Sequence, residues 1–252
     1  MNTIRWIEYF ENNLSRQHPP EPSFDSPCEL PPGEARELLA RSLATFQLGE
    51  TGEGRKLQRF ARKMAATRLP GYDTAVAMFV AEANRHAEFL AGAVRHLGGE
   101  LKTKQWTDFF FRRLRRLLNL EFELQVLLTA EVIGMAYYSL LAEAVPDRGV
   151  RSLCRRLVAD EVGHLRFHAD FFRGRHGRWN TVFVKLWRGQ FRAIFHAARA
   201  VAWWDHRRAL GRYGVSRADF FQRCLRDRRW FEGEIARGRA ASGNIAVGAA
   251  RP

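Results

Sequence analysis

Glu82 and His86 lie four residues apart, in the stretch Glu82-Ala-Asn-Arg-His86, and this spacing brings both side chains onto one face of a helix. Two glutamates, Glu50 and Glu53, precede the pair, and Glu53 lies 33 residues before His86. Carboxylate oxygens and imidazole nitrogens are both ligands for divalent metals. The stretch therefore predicts half of a metal site, in which one helix provides a glutamate and the next provides a Glu/His pair.

A second stretch repeats this arrangement later in the chain. Glu161-Val-Gly-His164 places a glutamate and a histidine on one helix face, and Glu131 lies 33 residues before His164. Two such halves, facing each other across the core of a four-helix bundle, are what a two-metal site needs. Inward-facing glutamates on four helices would repel each other strongly, and two divalent metals would cancel most of that charge. The ligand types suit iron or manganese, and the absence of a cysteine at this level argues against a structural zinc site.

Two nearby side chains are further candidates for a role at the site. His168 follows His164 by one helical turn and is interpreted either as an additional metal ligand, as a donor to a ligating carboxylate, or as an ordinary buried or surface histidine. Tyr138 follows Glu131 by two turns and either points at the site or packs in the core. We expect catalytic roles for Glu53, Glu131 and Tyr138.

The elements that must position these residues are four long helices in series. Apolar residues at steps of three or four predict helix A from 33–34 to about 66, helix B over about 73–97, helix C from 107–108 to 145, and helix D from about 147 to 173. Glycines at 98–99 and the Val145-Pro146 pair end helices B and C. No segment with strand periodicity competes, so the predicted fold class is all-α.

The remaining segments define the predicted domain organisation. Residues 1–32, which are rich in proline after a short start, are predicted to form an irregular strap along the surface. Residues 33–175 form the bundle with the metal site, and residues 176–238 form a C-terminal helical extension packed against it. Residues 239–252 are rich in alanine and glycine and are predicted to be a flexible tail.

The order of these residues resembles the ferritin-like di-iron carboxylate superfamily, which includes ferritins, rubrerythrins and bacterial multicomponent oxygenases. Its pattern is Glu, Glu-x-x-His, Glu, Glu-x-x-His on four successive helices, and residues 34–173 cover it. Asp160-Glu161-Val-Gly-His164 and Thr129-Ala-Glu131 match the second half of the pattern. The first half departs from it, because Glu82 precedes His86 by four residues rather than three. Either Glu50 or Glu53 takes the position of the first glutamate.

The resemblance implies two iron ions, with manganese or a mixed Mn/Fe pair as alternatives, in a centre that activates O2 or peroxide. The extra C-terminal helices and the glycines at 49, 52 and 54 favour oxidation of a small organic substrate held in a pocket. A ferroxidase or a peroxide-scavenging protein is the alternative. The chain carries no ferredoxin-like or flavin motif, so we expect a separate electron donor protein. The assembly is left open, with a homodimer as one candidate.

The composition and charge of the chain limit which other classes of function are possible. The chain has 252 residues, of which 46% are hydrophobic, so one large domain with an appendage fits. Three well-separated cysteines and a start without an apolar signal-like run predict a cytoplasmic protein. The apolar run 124–145 contains glutamates, and we interpret it as a buried core helix rather than a membrane span. The net charge of +14 predicts weak, sequence-independent binding to nucleic acid. A non-catalytic helical protein that binds RNA or an anionic membrane surface is the alternative from another class.

Overall fold

The computed structural model describes residues 1–14, 19–51, 54–102 and 120–237. Within these ranges the chain forms helices and no strands, so the predicted all-α class is confirmed. The helices are α1 (Thr3–Leu14), α2 (Glu34–Glu50), α3 (Arg55–Thr67), α4 (Tyr72–His96), α5 (Leu120–Ala144), α6 (Arg148–His176), α7 (Thr181–Arg212) and α8 (Arg217–Ala236). Residues 107–119 of the predicted helix C and the predicted tail, 239–252, lie outside the described residues.

Four of these helices build the core that surrounds the candidate site. α2 packs against α4, α5 packs against α6, and α4 also packs against α6. α7 covers α2 and α5, while α8 covers α5 and α6. The middle of the molecule is therefore enclosed by helices on several sides, and polar groups there are separated from solvent.

The expected helix A is two helices rather than one. α2 ends at Glu50 and α3 begins at Arg55, after Gly54 with φ of 54°. A Cβ atom at Gly54 would lie 2.7 Å from Val80 Cγ2 of α4, so only glycine allows this close approach. The prediction of one continuous helix to residue 66 was wrong at this position, since α2 ends at Glu50 and the left-handed Gly54 begins a new helix. Gly52 and Glu53 lie outside the described residues.

The two helices that carry Glu131 and the Glu161/His164 pair, α5 and α6, are explained by local features of the sequence. α5 is apolar enough along Phe122–Ala144 to cross a membrane by length and composition, but 83% of its most apolar window is buried inside the fold. This burial favours the core-helix interpretation. α6 begins after Asp147, whose carboxylate accepts a hydrogen bond from the backbone N–H of Val150 and thereby caps the helix.

The N-terminal segment differs from the expected irregular strap. Thr3–Leu14 is a regular helix that packs against α4, and its inward face buries Trp6, Phe10 and Asn13. These three residues follow each other at steps of four and three, which is the spacing of one helix face. The prolines at 19–32 act only on the chain after α1, where no regular helix forms.

Candidate metal centre

Helices α2, α4, α5 and α6 bring six of the predicted ligands into one buried cluster. α4 contributes Glu82 and His86, and α6 contributes Glu161 and His164. The two histidine side chains are 1% exposed, so solvent does not reach the imidazoles. The set that the structure brings together is Glu50, Glu82, His86, Glu131, Glu161 and His164.

Several close approaches in the cluster run between different helices. His164 Nε2 of α6 lies 3.5 Å from Glu82 Oε2 of α4, and His86 Nδ1 of α4 lies 3.6 Å from Glu161 Oε1 of α6. His164 Nδ1 lies 3.3 Å from Glu131 Oε2 and 3.4 Å from Glu161 Oε2. The Glu/His pairs of the two halves therefore face each other, as the spacing predicted.

Four of the ligand atoms in these contacts lack a hydrogen-bond partner. His86 Nδ1, Glu131 Oε2, Glu161 Oε2 and His164 Nε2 are buried, and none has a hydrogen-bond partner within the described part of the chain. Buried polar atoms are normally hydrogen-bonded, and exceptions at one place indicate a missing ion or water. The unpaired lone pairs fit a metal centre, because a cation would accept them all at once.

The ligand atoms fall into three overlapping groups, each of which fits one ion. In each group, one atom from every residue lies within 4.8 Å of the others. His86, Glu161 and His164 each belong to two groups; the Glu161 carboxylate has two oxygens and can serve two ions, which fits two neighbouring metals better than a single ion. The groups are Glu82/His86/His164, Glu50/His86/Glu161 and Glu131/Glu161/His164.

Charge balance agrees with two divalent ions. The four glutamates of the cluster carry four negative charges when ionised, and two divalent cations carry four positive charges. A fifth carboxylate, Asp160, is already neutralised, because Arg156 Nε donates to Asp160 Oδ2 over 2.9 Å. Without metal, the cluster depends on bound protons for its charge balance, since the pKa values of Glu50, Glu131, His86 and His164 are all raised.

The pKa values show how the protein responds to this crowding. Burial, followed by the charge of Glu161, raises the pKa of Glu50 to about 7, and the same causes raise the pKa of Glu131 well above its ordinary value. Burial also acts to raise the pKa of Glu161, but interactions with Glu131 and both histidines outweigh it and lower that pKa. Glu131 and Glu161 therefore share one proton when no cation is present.

Asp160 and Arg156 form a second layer around His86 that the sequence did not single out as part of the site. His86 Nε2 lies 3.2 Å from Asp160 Oδ2, which leaves Nδ1 facing Glu161. Burial acts to lower the pKa of His86, but Asp160 and Glu161 together raise it to about 10. A carboxylate on the far nitrogen fixes the ring and its tautomer, as is usual for metal-binding histidines.

Asn13 of α1 is the least expected residue at the centre. Its side-chain amide donates to Glu82 Oε1 and, over 3.1 Å, to Asp160 Oδ1, while Arg156 Nη2 donates to the Asn13 carbonyl over 3.1 Å. Sequence reasoning missed it because the segment was assigned to a surface strap. The spacing of Trp6, Phe10 and Asn13 was the available signal.

The other predicted site residues are placed differently. His168 is fully buried and its ring meets Phe79 edge-on at 5.0 Å, but it belongs to none of the three ligand groups. Burial, followed by His164, lowers its pKa to about 3, so it is a neutral core histidine near the centre. Glu53 lies outside the described residues, and Glu50 is the glutamate that α2 contributes.

Tyr138 lies in the core beside the cluster. Its hydroxyl is buried and has no hydrogen-bond partner among the described residues. Burial raises its pKa well above the ordinary value, and the charges of Glu50 and Glu161 raise it further. Tyr138 therefore keeps its proton and is close enough to these two glutamates to sense their charge.

Comparison with known proteins adds no assignment to this geometry, because the chain matches no protein-family model, no curated protein and no solved structure.

Proposed function

We propose that this chain is a di-iron carboxylate oxidoreductase with a ferritin-like arrangement of α2, α4, α5 and α6. It activates O2 or peroxide and oxidises a small organic substrate, with electrons from a separate donor protein in the cytoplasm. A manganese or mixed Mn/Fe pair would use the same ligands. Two features support this reading: the buried cluster described above and the order in which its ligands occur along the chain.

One observation carries the proposal. Four glutamates and two histidines from four helices meet in a buried cluster, and several of their ligand atoms have no hydrogen-bond partner there. A set of hard oxygen ligands with two imidazoles suits iron and manganese. Structural ion-pair networks normally satisfy their polar atoms with each other, so this cluster is better explained by bound cations.

The residues of the chain would hold such a pair as follows. Glu50, Glu82, Glu131 and Glu161 would supply carboxylate oxygens and His86 and His164 would supply imidazole nitrogens, with Glu161 common to two of the ligand groups. Iron, when bound, supplies the electrons that reduce oxygen and the oxidising power that acts on substrate. Asp160 and Asn13 orient His86 and Glu82, respectively, so that their ligand atoms are aimed before a metal enters.

Proton handling is the second contribution of the protein. Metal binding must displace the proton that Glu131 and Glu161 share and the protons held by the two histidines, whose pKa values are raised. Tyr138, whose buried hydroxyl has no hydrogen-bond partner among the described residues, is the side chain that we propose to donate a hydrogen bond to a molecule bound at the centre. The catalytic role expected for Glu53 stays a prediction, as that residue lies outside the described residues.

The test is oxygen uptake by the iron-loaded, reduced protein. We expect two irons per chain and O2 consumption that continues with a reductant and speeds up when the correct substrate is added. His164→Ala should abolish both iron binding and uptake, because His164 contributes to two ligand groups. His196→Ala, at an exposed position on α7, is the matched control and should leave both unchanged.

Two outcomes would separate this proposal from its alternatives. Uptake that stops once the added Fe(II) has been oxidised, with no response to reductant, would favour a ferroxidase. Uptake and iron content that survive His164→Ala would place any oxygen chemistry outside this cluster and contradict the proposal.

A further inference from the structure

A second group of potential ligands lies apart from the carboxylate centre and shares no residue with it. Cys28 belongs to the segment after α1, His96 is the last residue of α4, and Asp147 caps α6. One ligand atom from each lies within 4.8 Å of the other two, and His96 Nε2 lies 3.1 Å from Asp147 Oδ2. Three segments that are distant in sequence thus present a thiol, an imidazole and a carboxylate to one point.

Cys28 is half-buried, and the other two side chains of the cluster are shielded from water. The side chains of His96 and Asp147 are 5% and 1% exposed. The Phe24 ring lies 5.2 Å from the His96 ring, and a Cβ atom on Gly92 or Gly149 would come within 2.9 Å or 3.1 Å of it. Two glycines on different helical segments therefore make room for the aromatic ring that covers His96.

Neighbouring groups hold the carboxylate in a fixed direction. The backbone N–H of Val150 donates to Asp147 Oδ1 and that of Glu29 donates to Asp147 Oδ2, each over 2.9 Å. Each oxygen keeps a second lone pair, and His96 approaches on that side. Backbone donors of this kind orient carboxylate ligands in metal sites.

A tyrosine hydroxyl is the candidate for a fourth ligand. The hydroxyl of Tyr213, the residue after α7, is buried and has no hydrogen-bond partner in the described part of the chain. Burial raises the pKa of Tyr213, and the charges of Cys28 and Asp147 raise it further. A buried hydroxyl without a partner normally indicates a missing ion or water.

We propose that Cys28, His96 and Asp147 bind one divalent cation of the zinc class, with the Tyr213 hydroxyl or a solvent molecule at the fourth position. Thiolate and carboxylate carry two negative charges together, which one divalent cation neutralises, and the ligand types and count fit tetrahedral zinc. Binding replaces the thiol proton of Cys28, which is released, and moves the imidazole proton from Nε2 to Nδ1. The ion joins the N-terminal segment to the ends of α4 and α6.

Cobalt binding tests this proposal on the full chain. Co2+ bound by a thiolate gives a sulfur-to-cobalt charge-transfer band in the ultraviolet, which carboxylate and imidazole ligands do not give. The carboxylate centre contains no cysteine, so the band reports this site alone, whether or not the proposed di-iron function is correct. After chelator treatment, we expect a band whose intensity at saturation corresponds to one Co2+–thiolate bond per chain and which disappears on addition of excess Zn2+.

Two variants and one control complete the test. Cys28→Ser and His96→Gln should each abolish the band, and the glutamine can still donate a hydrogen bond to Asp147, so the fold is preserved in at least one variant. Cys224→Ala, at a cysteine buried between other helices, should keep it. No thiolate band in the wild-type protein, or a band that survives both variants, would overturn the proposal and leave Asp147 as a helix cap only.

Discussion

At the scale of single residues, Glu131 shows how the centre is prepared for a cation. Its Oε2 atom lies 3.3 Å from His164 Nδ1 but has no hydrogen bond, and burial together with Glu161 raises its pKa well above the ordinary value. Without metal the carboxyl group therefore keeps its proton to a higher pH than an ordinary glutamate does. When a metal binds, the carboxyl group loses its proton and becomes an anionic ligand. The residue therefore has one role as a protonated group and another as a carboxylate.

Glu131→Gln separates these two roles. The amide has the shape of the neutral carboxyl group, so we expect the unfolding free energy of the metal-free protein to fall by less than the ~1 kcal/mol that is typical of point substitutions. Metal content after iron loading should fall from two ions to one or none. Glu143→Gln, at an exposed position of α5, is the control and should keep both. Unchanged metal content in Glu131→Gln would exclude this residue as a ligand.

His206 gives the fold a pH dependence that is independent of the metal centre. It lies in the core, where its Nδ1 is 2.8 Å from Ser42 Oγ, and burial, followed by Lys102, lowers its pKa to about 3. The unfolded chain binds a proton at His206 below about pH 6.5, while the folded chain does not until about pH 3. Stability from this residue is therefore present above pH 6.5 and is lost as the pH falls towards 3.

His206→Gln should remove that dependence while keeping a hydrogen bond to Ser42. For each protein, we compare the unfolding free energy at lower pH with its value at pH 7. Between pH 6.5 and 3, the variant should lose less than the wild type, by up to ~1.4 kcal/mol per pH unit. Urea unfolding at several pH values measures this difference. Parallel curves for the two proteins would show that His206 is not a buried neutral group.

The spacing of residues predicted much of the cluster, but not its second layer. Glu82, His86, Glu131, Glu161 and His164 lie together because their intervals match helix geometry, which is a local property of the sequence. Asn13 and Arg156 depend on where α1 docks, and docking is a tertiary property that no local pattern contains. His168 has the correct interval too, yet the aromatic rings of Phe79 and Phe167 surround it instead of ligands.

At the scale of helices, α1 is the element that closes the site. Gly163, between Glu161 and His164, faces Tyr9 of α1 so closely that a Cβ atom there would lie 2.6 Å from Tyr9 Cζ. The glycine in the second motif therefore serves the packing of α1, which in turn brings Asn13 to Glu82. This role could not be predicted from the motif, in which the residue between glutamate and histidine appears unconstrained.

Gly163→Ala should displace α1 and reduce the unfolding free energy by ~1–3 kcal/mol, the usual cost of overpacking. In the Tyr9→Ala background the same substitution should become neutral or stabilise by up to ~1 kcal/mol, because alanine is the better helix former. A double-mutant cycle measured by urea unfolding gives both values. An equal cost in the two backgrounds would show that Tyr9 is not what Gly163 accommodates.

The break between α2 and α3 is the element that sequence reasoning placed least well. The apolar stripe resumes at Leu57, eleven residues or about three helical turns after Phe46, and this periodicity alone favoured one helix. The left-handed conformation of Gly54 and its contact with Val80 decide otherwise, and both depend on α4 lying alongside. Helix spans that end at strong local signals, such as the Asp147 cap, were predicted to within a few residues.

At the scale of the whole molecule, metal binding should act as a stabiliser. A ligand that binds only the folded state adds unfolding free energy of about 2.7 kcal/mol at one hundred times its dissociation constant. Chelator treatment should therefore lower the Tm, and adding Fe2+ or Mn2+ under anaerobic conditions should restore it. Calorimetry with and without metal measures the shift, and an identical Tm in both states would mean that the acidic cluster holds no ion.

The central claim is that the buried carboxylate and imidazole cluster holds two metal ions. Anomalous diffraction from crystals of the iron-loaded protein, recorded at the iron absorption edge, tests it most directly. The account predicts two peaks about 3.5–4 Å apart, as in other two-metal sites, with ligands from Glu50, Glu82, His86, Glu131, Glu161 and His164. A cluster without anomalous signal, in which these side chains pair only with each other, would contradict it.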